Sequence, residues 1–263
     1  MKQIFIILLV TIFLQAYSQE NDSTIVIQSS RGRLSGLVNI QNLNEDYNSL
    51  KFEGHWEGIE FGINGFADAD YSMYPATDDQ FLDNDILRSN VLNLNLLQYS
   101  RGIQQVRNNI GLVTGLGLSF KSYHLNSNTT ITLDENKLVR PTRLYYDSNQ
   151  KSKLSLFYLE MPILLELQIP VNHVNNRFYI SAGIIGSKRL ESHTKIKYRK
   201  DGKKDKLKSP GYYSTNDYKL AATLRLGYRS YNLFFSYDLI PLFEDRKGPV
   251  LHPWSAGLRL VSF

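Results

Sequence analysis

The sequence predicts an all-β chain folded as an eight-stranded antiparallel up-and-down transmembrane β-barrel with long extracellular loops. Three observations carry that expectation. Eight stretches alternate apolar and polar residues with a period of two, the connections between them alternate between long and short, and aromatic residues abound in a chain of negative mean hydropathy. Of 263 residues, 17 are Tyr, 13 Phe and 2 Trp, and the mean hydropathy is −0.30. That composition suits many half-apolar strands better than a helical core.

The first residues read as an export signal: Lys2, an apolar run from Ile4 to Leu14, then the small residues Ala16 and Ser18 ahead of Gln19. An uncleaved anchor is the alternative, but the run is short for a spanning helix. We therefore divide the chain into a signal peptide at 1–18, a periplasmic lead-in at 19–53 and a barrel domain at 54–263. The lead-in is polar and lacks sustained alternation, so it is read as partly disordered or, alternatively, as a plug for the lumen. Cysteine is absent, which excludes disulfides, thiol chemistry and N-terminal lipidation.

The alternating stretches lie near 55–66, 90–102, 109–124, 153–168, 176–190, 217–229, 231–242 and 253–263. Each is long enough to cross a bilayer as a tilted strand, for which about 9–11 residues are needed. In the first, Ile59, Phe61 and Ile63 alternate with Gly58, Glu60, Gly62 and Asn64. In the third, Ile110, Leu112, Leu116, Leu118 and Phe120 oppose Gly111, Gly115, Gly117, Ser119 and Lys121. The fifth sets Phe178, Ile180, Ala182 and Ile184 against Tyr179, Ser181 and Gly183. In the sixth, Leu220, Ala222, Leu224, Leu226 and Tyr228 oppose Lys219, Ala221, Thr223, Arg225 and Gly227.

Connections 67–89, 125–152 and 191–216 are long, 243–252 is moderate, and 103–108, 169–175 and Ser230 are short. A barrel with both termini in the periplasm sorts its loops this way; a soluble sandwich has no reason to. The placement follows: the bacterial outer membrane. Within 125–152, the alternation of 129–146 around Asp134-Glu135-Asn136 predicts two barrel strands that extend as a hairpin above the membrane.

Three stretches, GHWEGIEFGING (54–65), YLEMPILLEL (158–167) and GLRLVSF (257–263), resemble the PorT-like family of outer-membrane β-barrel proteins. The resemblance implies an eight-stranded barrel in a Gram-negative envelope, with some members associated with protein secretion, and it carries over no catalytic residue. Phe263 reads as the barrel assembly signal. Counting back from it places Val261, Arg259 and Gly257 outward, although Leu258 and Leu260 are more lipid-like. A bulge near Ser262 removes the conflict; Arg259 snorkelling to headgroups is the alternative.

Lumen parity gives an inward charged set: Glu60, Lys121, Glu160, Glu166, Arg189, Arg225 and Asp238. Eight strands enclose a space that side chains fill, and unpaired buried charge is expensive. The set is therefore read as a structural salt-bridge network, with Arg225 or Lys121 as the partner of Glu60; a proton or ion relay is the competing reading. Trp56, Tyr99, Tyr123, Tyr158, Tyr228, Tyr231, Phe243 and Trp254 sit near strand ends, where interfacial girdles belong, and His55-Trp56 marks the periplasmic interface.

The remaining motifs point away from chemistry. Loop 67–89 holds Asp68, Asp70, Asp78, Asp79, Asp83 and Asp85, but without the spacing or glycine of a calcium loop. The stretch 188–208 holds ten Lys or Arg against three acids. It is read as a solvated loop, as a contact for lipopolysaccharide phosphates, or as a partner of the acidic loop across the barrel mouth. Phosphate-loop, dinucleotide and zinc-ligand spacings are absent, and no Ser-His-acid set is expected on matched strand faces. The expectation is a non-enzymatic barrel that needs no cofactor or metal and binds no nucleic acid. Its partners are outer-membrane lipid and lipopolysaccharide, the barrel-assembly machinery, and envelope or secretion-complex proteins. A narrow solute pore and a soluble lipocalin-like barrel are the alternatives.

Overall fold

The computed structural model describes residues 52–78, 80–104, 109–126, 129–144, 151–171, 173–200, 203–229 and 231–262. The export signal, the lead-in up to residue 51, Asp79 and Phe263 lie outside the described residues. In chain order the strands are β1 (Gly58–Asp70), β2 (Asn90–Gly102), β3 (Ile110–His124), β4 (Thr129–Leu133), β5 (Val139–Arg143), β6 (Lys151–Val171), β7 (His173–Lys200), β8 (Lys203–Pro210), β9 (Tyr218–Tyr228), β10 (Tyr231–Asp238) and β11 (Val250–Val261).

Eight of them close a ring in the order β6-β3-β2-β1-β11-β10-β9-β7, with β6 pairing back to β7. Every ladder is antiparallel. The start of β1 and the end of β11 share one rim with the short connections, so the long connections all emerge at the other rim. Closure leaves no free edge within the ring.

Alternation decides which side faces in. Phe61, Ile63, Leu112, Phe120, Ile163, Leu165, Leu224, Phe235 and Leu258 are exposed on the outer face, whereas Glu60, Lys121, Glu160, Glu166, Arg225 and Asp238 are buried inside. An apolar outside around a charged inside is the reverse of a lipocalin-like barrel.

Three bulges keep that parity. The β2–β3 register skips Leu96, the β6–β7 register skips Leu190 and the β1–β11 register skips Leu260. Each extra leucine points outward, 49 %, 50 % and 62 % exposed respectively. One inserted residue resets the faces of everything beyond it. Thus Gln98 and Ser100 turn inward after Leu96, and Arg259 lies buried inside while Leu258 and Leu260 face out. The reset at the last strand occurs at Leu260 rather than at Ser262.

Two expectations about the outer connections change. Residues 191–216 are largely strand: alternation persists through Ser192, Thr194 and Ile196, so β7 rises well beyond the ring and carries β8 on its upper edge. The hairpin at 129–146 is not an extension of barrel strands; β4 and β5 form a separate two-stranded sheet. Its Ile131 and Val139 pack with Tyr74, Phe81, Leu82, Tyr123, Leu154, Leu156, Tyr158, Tyr213, Leu242, Phe243 and Leu251 in an upper apolar cluster. Burying such a face is what makes an otherwise marginal hairpin stable. Tyr74 donates to the Val139 carbonyl (2.7 Å), Ser214 to that of Lys137 (2.6 Å) and Lys247 to that of Asn136 (2.7 Å), so the outer connections tie to one another.

Four of the eight girdle aromatics are likewise reassigned. Tyr123, Tyr158 and Phe243 belong to the upper cluster and Trp56 lies inside the lower barrel. Tyr99 and Tyr231 are exposed, and Tyr228 and Trp254 half-buried.

Candidate functional site

Among the described residues, buried charged side chains converge in the lumen, and the chain itself enters the lower part of it. Residues 52–57 run inside the barrel ahead of β1. Phe52 and Trp56 form an apolar cluster with Val113, Leu164, Ile185 and Ala221. Their seats are the glycines of β3: a Cβ on Gly111 would meet Phe52 at 2.3 Å, and one on Gly115 would meet Trp56 at 2.7 Å. The glycine run read as a strand face is therefore a groove for two aromatic rings. Trp56 does not mark an interface; it is wholly buried.

Extended backbone inside a lumen must have its polar groups satisfied by the wall. Gln98 Oε1 accepts from the amides of Trp56 (2.5 Å) and Glu57 (3.2 Å), while its Nε2 donates to the Gly54 carbonyl (2.9 Å). Asn95 donates to the Trp56 carbonyl (3.0 Å), Ser100 to that of Phe52 (3.3 Å), Gln168 to that of Glu53 (2.5 Å) and Arg259 to that of His55. Phe52 and Glu53, the residues of the lead-in that the structure describes, thus lie in the lumen together with the first residues of the barrel domain.

Glu166 serves this segment. Its carboxylate accepts the His55 amide (3.1 Å), lies 2.7 Å from His55 Nδ1 and takes a hydrogen bond from Gln168 (2.7 Å). The His55 ring stacks on Tyr179 at 4.1 Å.

Above the segment lie two ionic groups. In the first, Arg225 holds Glu60 through both terminal guanidinium nitrogens, Asn93 donates to the same carboxylate (3.1 Å) and Arg259 stands 3.8 Å away. Arg225 also lies over the Trp56 ring, 4.4 Å from its centre, which joins this pair to the lower cluster. In the second, Lys219 bridges Glu160 (3.0 Å) and Asp238 (3.7 Å), and Lys121 approaches Asp238 at 3.5 Å. Lys219 lies over the Tyr158 ring (4.9 Å), which joins it to the upper cluster.

Of the expected charged set, the structure brings together Glu60 with Arg225, and Lys121 with Glu160 and Asp238; Lys121 does not reach Glu60. Glu166 stands apart with His55. Arg189 stands at the outer rim, bound to Asp217 (2.5 Å), the Tyr212 carbonyl (2.7 Å) and Thr215. Sequence reasoning missed Lys219 and Arg259. The first lay on the inward face of the cleanest strand; the second was hidden by the bulge. Among the described residues the buried charges number four acids and four bases.

Other motifs settle locally. Asp85 pairs with Arg88 (3.2 Å) and Asp83 accepts from Asn126 (2.9 Å), so the acidic connection does not meet the basic strands among the described residues. No group of three metal donors converges among them. One expectation is overturned: Ser155 faces His193 across β6–β7, and Glu191 lies 3.4 Å from that imidazole, so Ser, His and acid do share adjacent strands. They are engaged elsewhere, Ser155 with Ser122 (3.2 Å) and Glu191 with Lys208 (3.2 Å).

A family model described as outer membrane protein beta-barrel domain matches residues 58–243, from the first residue of β1 to beyond β10. Comparison with curated proteins and with solved structures gave no match.

Proposed function

The chain belongs to the outer membrane protein beta-barrel domain family and resides in the bacterial outer membrane, and we propose from that premise that it is a closed, non-enzymatic scaffold, structural or interactive, in the cell envelope. The observation that carries the reading is what occupies the lumen among the described residues: the inserted segment, a balanced ionic layer and an upper apolar cluster. A selective pore lines its path with an excess of one charge and leaves room for water; four buried acids balanced by four buried bases favour rigidity instead. The work is then done by surfaces, above all by the outer connections. The partners are outer-membrane lipid and lipopolysaccharide, the barrel-assembly machinery and envelope proteins. The motifs that resemble PorT-like proteins support an accessory role in protein secretion.

The test is conductance. Purified protein, folded by the criterion of heat-modifiable migration on SDS gels, is expected to add no current steps to a planar bilayer. Reproducible steps from folded protein would overturn the closed scaffold in favour of a narrow pore.

A further inference from the structure

The outer face of β3, β6, β7 and β8 changes chemistry row by row as it leaves the apolar belt. Phe120 and Phe157 are cross-strand partners whose rings stack at 4.3 Å. One row further out, Ser122 faces Ser155, and Ser155 faces His193. The next row is His124, Lys153, Lys195 and Lys208, and the one beyond is Lys151, Lys197 and Lys206. Lys153 reaches back to the Ser122 hydroxyl at 3.2 Å.

Like charges directly opposite in a ladder lie about 5 Å apart and destabilise it. Here two successive rows oppose three lysines each. Lys208 is offset by Glu191, but among the described residues no carboxylate pairs with Lys151, Lys153, Lys195, Lys197 or Lys206. The two rows therefore concentrate positive charge on one outer face.

We propose that this lysine ladder binds the phosphates of an acylated, phosphorylated glycolipid of the outer leaflet, whose chains lie over Phe120 and Phe157. The order of the rows selects a lipid over a soluble anion. On β3 and β6 an apolar step, a hydroxyl step and a cationic step follow one another along the membrane normal, as the parts of such a lipid do, while on β7 the first row carries Glu191, which Lys208 offsets. Lys153, Lys195 and Lys197 supply charge-assisted donors, and the Ser122 and Ser155 hydroxyls supply neutral ones. The proposal deepens the lipid contact of the proposed function and rests on the same outward orientation of the long connections.

The full chain is reconstituted into phosphatidylcholine vesicles doped with lipid A or with its dephosphorylated form, then re-extracted and its retained lipid measured. Wild type is expected to retain the phosphorylated form preferentially. The exposed-side variant K195Q/K197Q/K206Q is expected to lose about fivefold in retention per lysine removed. Equal retention of both lipids, or no loss in the variant, overturns the proposal. Displacement by excess inorganic phosphate alone also overturns it, in favour of a soluble anion. If the triple variant loses heat-modifiable migration, K206Q/K208Q, confined to the edge strand β8, replaces it with the same readout. Conductance of the same wild-type preparation tests the closed scaffold separately.

Discussion

Arg225 of β9 and Glu60 of β1 stand 165 residues apart in sequence and grip each other across the lumen. Both are almost completely buried. Removing one partner of such a pair leaves an uncompensated charge in a low-dielectric interior, at a cost of about 3–5 kcal/mol. The two partners should not be equivalent. Glu60→Gln leaves Arg225 and Arg259 crowded together, whereas Arg225→Ala leaves Glu60 with Arg259 at 3.8 Å. Both substitutions are expected to lower the urea midpoint of the heat-modifiable form, Glu60→Gln by more. Equal midpoints for wild type and both variants would contradict the network.

The inserted segment makes a separate, steric prediction. Truncating a buried aromatic in a packed site costs about 3–5 kcal/mol, so Trp56→Ala is expected to reduce stability by that order. Gly111→Val attacks the same contact from the wall, because its first added carbon already meets Phe52 at 2.3 Å. If residues 52–57 sit in the lumen, the valine also makes a cysteine placed at Glu53 more reactive to a membrane-impermeant thiol reagent from the periplasmic side. Unchanged labelling with an unchanged midpoint would place the segment elsewhere.

The sequence shows why the ring was legible and its contents were not. Period-two alternation and loop parity depend only on local order, and they located all eight ring strands, since each must present a lipid face whatever fills the middle. What lies opposite a lumen side chain depends on closure and shear. Glu166 looked like one more ion-pair partner until His55 arrived from 111 residues away. Gly111 and Gly115 gave a signal that was available, since glycine on an inward face leaves space for something large. Arg259 is absent from the expected inward set, although a bulge in the last strand turns it inward, because leucine suits a lipid-facing bulge and a lipid-facing strand position alike and so does not mark where parity resets.

Acid should loosen the outer hairpin. The Asp134 carboxylate accepts the amides of Leu138 (2.8 Å) and Asn136 (2.9 Å) and lies near Arg140. These bonds hold its pKa below the ordinary 3.8. A group depressed on folding contributes stability that is present above the unfolded pKa and fades as pH falls through the folded one. Amide exchange at Asn136 and Leu138 is therefore expected to accelerate below pH 3.8 relative to the intrinsic rate. Asp134→Asn should remove that pH dependence; if it persists, another carboxylate controls the turn.

At the alkaline end the same cap is governed by Tyr74. Its hydroxyl donates to the Val139 carbonyl (2.7 Å), and its ring sits with Phe81 in the upper cluster at 5.2 Å. Burial raises its pKa from 10.0 to about 12, outweighing the opposing effect of Arg140. The sign runs opposite to that of Asp134. The protonated phenol's contribution is whole below pH 10.0 and is lost as pH climbs through about 12. A phenolate cannot donate to a carbonyl, so ionisation breaks the bond that ties the first long connection to the β4–β5 hairpin. Proteolysis of the outer connections in the folded barrel is expected to rise over that window. Tyr74→Phe keeps the ring packing and deletes both the bond and the titration, so its outer connections should be cut faster at neutral pH and show no further change attributable to this residue. A Tyr74→Phe profile that still follows wild type across the window would assign the transition to a different phenol.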